Sequence, residues 1–154
     1  MSGIIGLFII CGFLLWRYGI SGIVAGASLI IYIIIVLGLV RIMGITLTLS
    51  GVAGIVLSLG VAIDSNILLL ERVRDFLDHG KDMHTSLKLG FREAWSAVWD
   101  SNFTGLLVGS VLWWMGVSLV KGFGQMTVLG ILVSLFVVKY ICNPLTIWLR
   151  NKIG

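Results

Sequence analysis

Two carboxylates in apolar surroundings are the residues of this sequence best placed to do chemistry. Asp64 stands in Gly60-Val61-Ala62-Ile63-Asp64-Ser65-Asn66, and Asp100 opens Asp100-Ser101-Asn102-Phe103-Thr104. A carboxylate held at the centre of a membrane helix costs roughly 2.5–3.5 kcal/mol on insertion scales. In such a place a carboxyl group passes between neutral and charged forms at a small energetic difference, which is what a proton relay needs. Ser65, Asn66, Asn102 and Thr104 bring hydrogen-bonding groups to the same two stretches. For the Ser and Asn residues a second role is open, since their side chains also knit membrane helices together. For Asp64 the proton role is favoured, because Asn would knit as well without a charge.

The elements that carry these residues follow from composition. Of 154 residues, 58% are hydrophobic and 12% charged, and the mean hydropathy is +1.10. That is too apolar for a soluble domain. Runs such as 19–40 and 47–70 are free of Lys, Arg and Glu over about 20 residues, the length that spans a bilayer. The expectation is an all-α integral membrane protein, a five-helix transmembrane bundle with helices at about 1–16, 20–41, 47–71, 94–116 and 122–143 and a cytoplasmic loop at 72–93. Pro144 follows the last segment as a terminator. Small residues let helices approach closely, and Gly54, Ser58, Gly60, Gly105 and Gly109 are the expected packing positions, beside the pair Gly22 and Gly26.

Basic residues set the orientation. Arg17, the cluster from Arg72 to Arg92, Arg150 and Lys152 fall on one side of such a bundle, and Arg41 and Lys121 on the other. The positive-inside rule makes the first side cytoplasmic, with the N-terminus outside and the C-terminus inside the cytoplasmic membrane of a bacterium or archaeon. A first span of residues 1–16 is only about 24 Å long at 1.5 Å per residue, which suggests a piece of a longer protein or one product of a split gene. With helices three and four antiparallel, Asp64 and Asp100 lie at similar depth, each about 8 Å to the cytoplasmic side of its helix midpoint.

Other residues carry less. Lys139 is expected to snorkel, or to pair with an Asp. His79 and His84 read as solvated loop residues, and Asp75 to Leu89 as an amphipathic segment on the membrane surface or the bundle ends. Trp95, Trp99, Trp113, Trp114 and Trp148 fit an interfacial aromatic belt. Cys11 and Cys142 read as buried small hydrophobes. The sequence shows no nucleophile–base pair, phosphate loop, metal cluster or basic stripe for nucleic acid. It reads as a non-enzymatic protein without metal or cofactor.

The motifs resemble a family. Leu47-Thr48-Leu49-Ser50-Gly51-Val52-Ala53-Gly54-Ile55-Val56-Leu57, the Asp64 stretch, Glu71-Arg72-Val73-Arg74, Gly90-Phe91-Arg92 with Ala94-Trp95, the Asp100 stretch and Val120-Lys121-Gly122-Phe123 occur in the order and spacing of the SecD/SecF protein-export family, on its SecD side. The Asp-x-Asn-x-Thr stretch separates it from the SecF side. The resemblance implies half of an RND-superfamily transporter lacking its first helix and periplasmic domain. It implies a subunit that works with SecF on the SecYEG translocon, drawing out unfolded preproteins with the proton as coupling ion and membrane lipid as solvent. It makes Asp64 a proton carrier and lets Asp100, Asn102 and Thr104 line the same region. Ser50 stands where the family often has Pro, Gly105 where it often has Thr, and Gly124-Gln125-Met126-Thr127 replaces Ala-x-Thr-Leu. The competing readings are a non-transporting translocon scaffold and an RND-type exporter of small molecules or lipids. For an exporter, the loops at 41–46 and 117–121 are too short.

Overall fold

A computed structural model of the protein describes residues 2–142. They form α1 (Ser2–Tyr18), α2 (Ile20–Ile42), α3 (Leu49–Asp78), α4 (Met83–Met115) and α5 (Ser118–Val137), the last running into a π-helical turn at Val138–Cys142. Helices α2, α3 and α5 are long and apolar enough to cross a membrane. Helix α4 carries Asp100, Ser101, Asn102 and Thr104 midway and so falls outside that apolar set. Pro144, Trp148, Arg150 and Lys152 lie outside the described residues.

The ends of the elements follow local chemistry. The Thr48 hydroxyl accepts from the Gly51 amide at 3.1 Å and starts α3. The Asp82 carboxylate accepts from the Thr85 amide at 3.3 Å and starts α4. These side chains satisfy donors that the first helical turn leaves free. Between them, Gly80 adopts φ +77°, and the amides of Gly80 and Lys81 bond back to Leu77 and Phe76. Only glycine enters that left-handed conformation without a Cβ penalty, so the chain reverses there.

The expected cytoplasmic loop at 72–93 is therefore not a loop. Apart from the turn at 79–82 it is helix, and α3 and α4 form a continuous hairpin. The segment from Asp75 to Leu89 does not lie as one amphipathic piece, because Gly80 and the Asp82 cap divide it between the two helices. Val73 and Gly90 show why the hairpin stays closed. A Cβ at Gly90 would stand 2.8 Å from the Val73 backbone, so only hydrogen fits there.

Helices α3, α4 and α5 are the most closely packed group. Gly54 and Ser58 of α3 meet Phe123 to Thr127 and Gly130 of α5, with both sequences rising together, so these helices are parallel. Helix α4 is antiparallel to both, Gly109 meeting Gly124 and Val128, and Gly105 meeting Ile131. Helix α2 runs antiparallel to α3, with Tyr32 against Ser58 and Ser28 against Asn66. Helix α1 packs mainly on α2. The main core joins Leu29, Tyr32 and Val36 of α2 to Ala62 and Leu70 of α3 and Met126, Val133 and Val137 of α5 and its extension.

Gly54, Ser58, Gly105 and Gly109 are thus packing positions. At Gly54 a Cβ would come within 2.7 Å of the Phe123 carbonyl oxygen, and at Gly105 within 2.7 Å of the Ile131 side chain. Gly60 packs against none of the described residues: nothing among them lies within 4 Å of its Cβ position. It sits two residues beyond Ser58, about 200° around the helix, and so faces away from α5.

Candidate functional site

The polar residues of α3 and α4 separate into two sets. One is buried and bonded between helices. The Asn66 amide donates to Ser28 Oγ at 3.0 Å, joining α3 to α2. The Asn102 amide donates to Ser65 Oγ at 3.4 Å, joining α4 to α3, and to its own helix at the Val98 carbonyl at 2.7 Å. Ser65 in turn donates to the Val61 carbonyl at 2.9 Å. Two turns along α3, Ser58 and Tyr32 Oη are 2.8 Å apart. Asn66 and Asn102 expose only 1% and 0% of their surface. Each uses its NH2 group, and the two amide oxygens and Ser134 Oγ are left without a partner.

The second set is exposed. Asp64, Asp100 and Thr104 all lie on the surface of this chain. Asp64 shares its side of α3 with Ala53, Leu57 and Gly60, and Asp100 lies on the broad exposed arc of α4 with Ser96, Phe103, Thr104 and Leu107. Asp64 precedes Ser65, and Asp100 lies two residues before Asn102. The Ser65–Asn102 bond therefore sets the two carboxylates within about one turn of each other along the bundle. Among the described residues neither carboxylate takes part in an ion pair or a side-chain hydrogen bond.

Sequence reasoning expects Ser65, Asn66, Ser101 and Asn102 to surround the two acids and Thr104 to share the face of Asp100. The structure turns Ser65, Asn66 and Asn102 inward to one another and to Ser28, and leaves Thr104 outward with the acids. The cause is the 100° step of a helix: Ser65 and Asn66 are turned toward two different neighbours, α4 and α2, and Asp64, about 100° and 200° away from them, is left outside both contacts. Ser28 and Tyr32 were not singled out. A lone Ser and a lone Tyr in an apolar run give no signal until a partner helix supplies Asn66 and Ser58. Lys139 pairs with no Asp. The π-helical turn sets its Nζ 5.3 Å from the centre of the Trp95 ring and 5.6 Å from that of Tyr140, a cation–π arrangement.

A bundle of apolar helices with interhelical Asn and Ser bonds and outward carboxylates defines a polytopic membrane protein whose acidic face is turned away from its own core. The chain belongs to the SecD/SecF family: the description "Protein export membrane protein SecD/SecF, C-terminal" matches residues 2–152. It is 42% identical over 136 residues to the protein translocase subunit SecD of Synechocystis sp., covering 88% of this chain and 29% of that protein. With the SecD subunit of Dehalococcoides mccartyi it shares 36% identity over 149 residues, covering 94% of this chain and 33% of the other. It superposes on the crystal structure of SecDF, a translocon-associated membrane protein from a Thermus species, with a TM-score of 0.94 and 33% identity over 98% of this chain and 21% of that one. A super-membrane-facing form of SecDF gives a TM-score of 0.93. The chain thus spans about a third of the SecD relatives it matches and about a fifth of the solved SecDF chain.

Proposed function

We propose that this chain is the membrane part of a SecD-type subunit that assists protein export, and that Asp64 carries protons in that work. The observation that supports this reading is the separation of the two polar sets. The buried interhelical bonds are those of Ser28 with Asn66, Ser65 with Asn102 and Tyr32 with Ser58, and among the described residues Asp64 and Asp100 have no share in them. A carboxylate facing lipid at mid-helix is costly, roughly 2.5–3.5 kcal/mol. One that persists outside the packing scheme is there for its charge. The acidic sides of α3 and α4 are suited to face a second membrane half, and a SecF-type partner supplies it. Inside that covered face the carboxyls of Asp64 and Asp100 take up and release the proton, with the Thr104 hydroxyl one turn from Asp100 as hydrogen-bond partner.

In this reading the partner subunits are SecF and the SecYEG translocon, the cargo is an unfolded preprotein, and the hairpin end of α3 and α4 is cytoplasmic. A scaffold that only stabilises the translocon would not need Asp64, because the Ser and Asn ladder already joins the helices.

The test is Asp64→Asn in the complete gene with its SecF partner, followed by proton-gradient-dependent export in membrane vesicles. The expected result is loss of the gradient-dependent part of export at normal protein level. Export equal to wild type would overturn the proton role and leave the bundle as a scaffold.

A further inference from the structure

A groove of about 280 Å³ opens between α2, α4 and α5, at the end of the bundle where α2 and α4 finish and α5 begins. Its walls are Leu39 of α2 and Met43 just past its end, Trp113 of α4, and Gln125, Val128 and Leu132 of α5. These walls are almost wholly apolar, and two of the helices that carry them, α2 and α5, are apolar enough to cross a membrane.

The α5 stripe that lines the groove continues one turn past it to a cation. Lys121, Gln125, Val128 and Leu132 stand at i, i+4, i+7 and i+11, on one side of α5. Passing inward from the end of the bundle, that stripe reads cation, amide, then two aliphatic side chains. Trp113, near the end of α4, flanks it, and Trp is a residue that collects at membrane interfaces. Lys121 is exposed and has no acidic partner among the described residues. All seven acidic residues of the chain lie between Asp64 and Asp100, in α3, α4 and their hairpin, whereas this end of the bundle carries Arg41 and Lys121. One turn beyond the groove's lining, at Lys121, the same side of α5 therefore offers positive charge without a competing carboxylate.

We propose that this groove is a binding site for one phospholipid with an anionic headgroup. Its phosphate meets the Lys121 ammonium and the Gln125 amide, and one acyl chain lies along Val128 and Leu132 against Trp113. The charge at Lys121 selects the headgroup, because a single Lys near an anionic lipid surface is worth about fivefold in affinity. The site is independent of the proton reading, since Asp64 and Asp100 lie on other faces.

The test uses the protein purified from membranes and placed in nanodiscs of equal phosphatidylglycerol and phosphatidylcholine with identical acyl chains. Native mass spectrometry of the released protein counts the lipids retained. The expected result is one tightly held lipid, with phosphatidylglycerol favoured about fivefold. Lys121→Gln should bring that ratio to about one while a lipid is still held. Leu132→Trp, at a position 54% exposed, should fill the groove and lose the lipid, whereas Ile34→Trp, at a position 64% exposed on α2, should not. A photo-crosslinking residue at Leu132 reads the occupant in native membranes and does not depend on the Trp variant folding. Label in lipid is the expected outcome. Label in a polypeptide, equal retention of the two lipids by the unmodified protein, or an unchanged ratio in Lys121→Gln would overturn the proposal.

Discussion

The inner and outer faces of α3 use similar side chains for opposite ends. Inward, Asn66 and Ser65 are buried and bonded to Ser28 and Asn102. Outward, a single residue before them, Asp64 is exposed and its carboxylate makes no bond among the described residues. Glycine divides in the same way: Gly54 is pressed against the Phe123 carbonyl, while Gly60 touches none of the described residues. One face is spent on assembly and the other is left for a partner or a proton. A residue's type says little about which of these it does; its angle around the helix says most.

That comparison breaks first at glycine. Gly54→Val forces a side chain into the α3–α5 contact and is expected to destabilise the bundle by about 3 kcal/mol, at the upper end for overpacking. Gly60→Val, on the open face, is expected to stay within about 0.5 kcal/mol of the parent. Unfolding in mixed micelles followed by circular dichroism measures both. If the two variants lose equal stability, the inner and outer faces are not distinct.

The next effect is on the ladder. Asn66→Ala removes the bond to Ser28 and leaves a small void, for an expected loss of about 1–2 kcal/mol, a little above the average interhelical hydrogen bond in membranes. Asp64→Asn should change stability by less than about 0.5 kcal/mol in the same assay, since no bond among the described residues depends on its charge. A large loss in Asp64→Asn would assign the carboxylate to packing and weaken the functional contrast.

The smallest effect lies at the hairpin. The hydrogen bond from Thr85 holds the Asp82 carboxyl below its usual value. A carboxyl lowered in the folded state adds stability that is complete above the unfolded value, about 3.9, and is lost as the pH falls through the folded one. Acidification below about pH 4 should therefore fray the start of α4 in the parent. Asp82→Asn, which still caps but does not titrate, should lack this step. Helicity measured through an acid titration compares the two.

Much of the architecture is legible in the sequence because it depends on composition alone. Apolar runs of membrane-spanning length give the membrane and the five helices, while the start of α3 at the Thr48 cap, two residues into the expected 47–71 segment, came from the structure. The hairpin was harder to read, because the polar residues from Arg72 to Arg92 look like a loop when charge is taken as the signal. Their helical character comes from Gly80 and the Asp82 cap, which confine the turn to a few residues. Gly60, expected as a packing site, has no neighbour among the described residues, because small-residue spacing marks a close approach but not which face of the helix is approached.

The sequence by itself determined that this chain lives in a membrane, that it carries two carboxylates at matched depth, and that it resembles one family in motif order. Periodicity, hydropathy and residue type suffice for those. Only the tertiary structure decided that Asn66 and Asn102 turn inward while Asp64, Asp100 and Thr104 turn outward, and that Ser28 and Tyr32 complete the buried ladder. Which face of a helix is inner depends on where its neighbours stand. That is set by the fit of Gly54, Ser58, Gly105 and Gly109 against α5, a property of pairs of helices that no single stretch of chain contains.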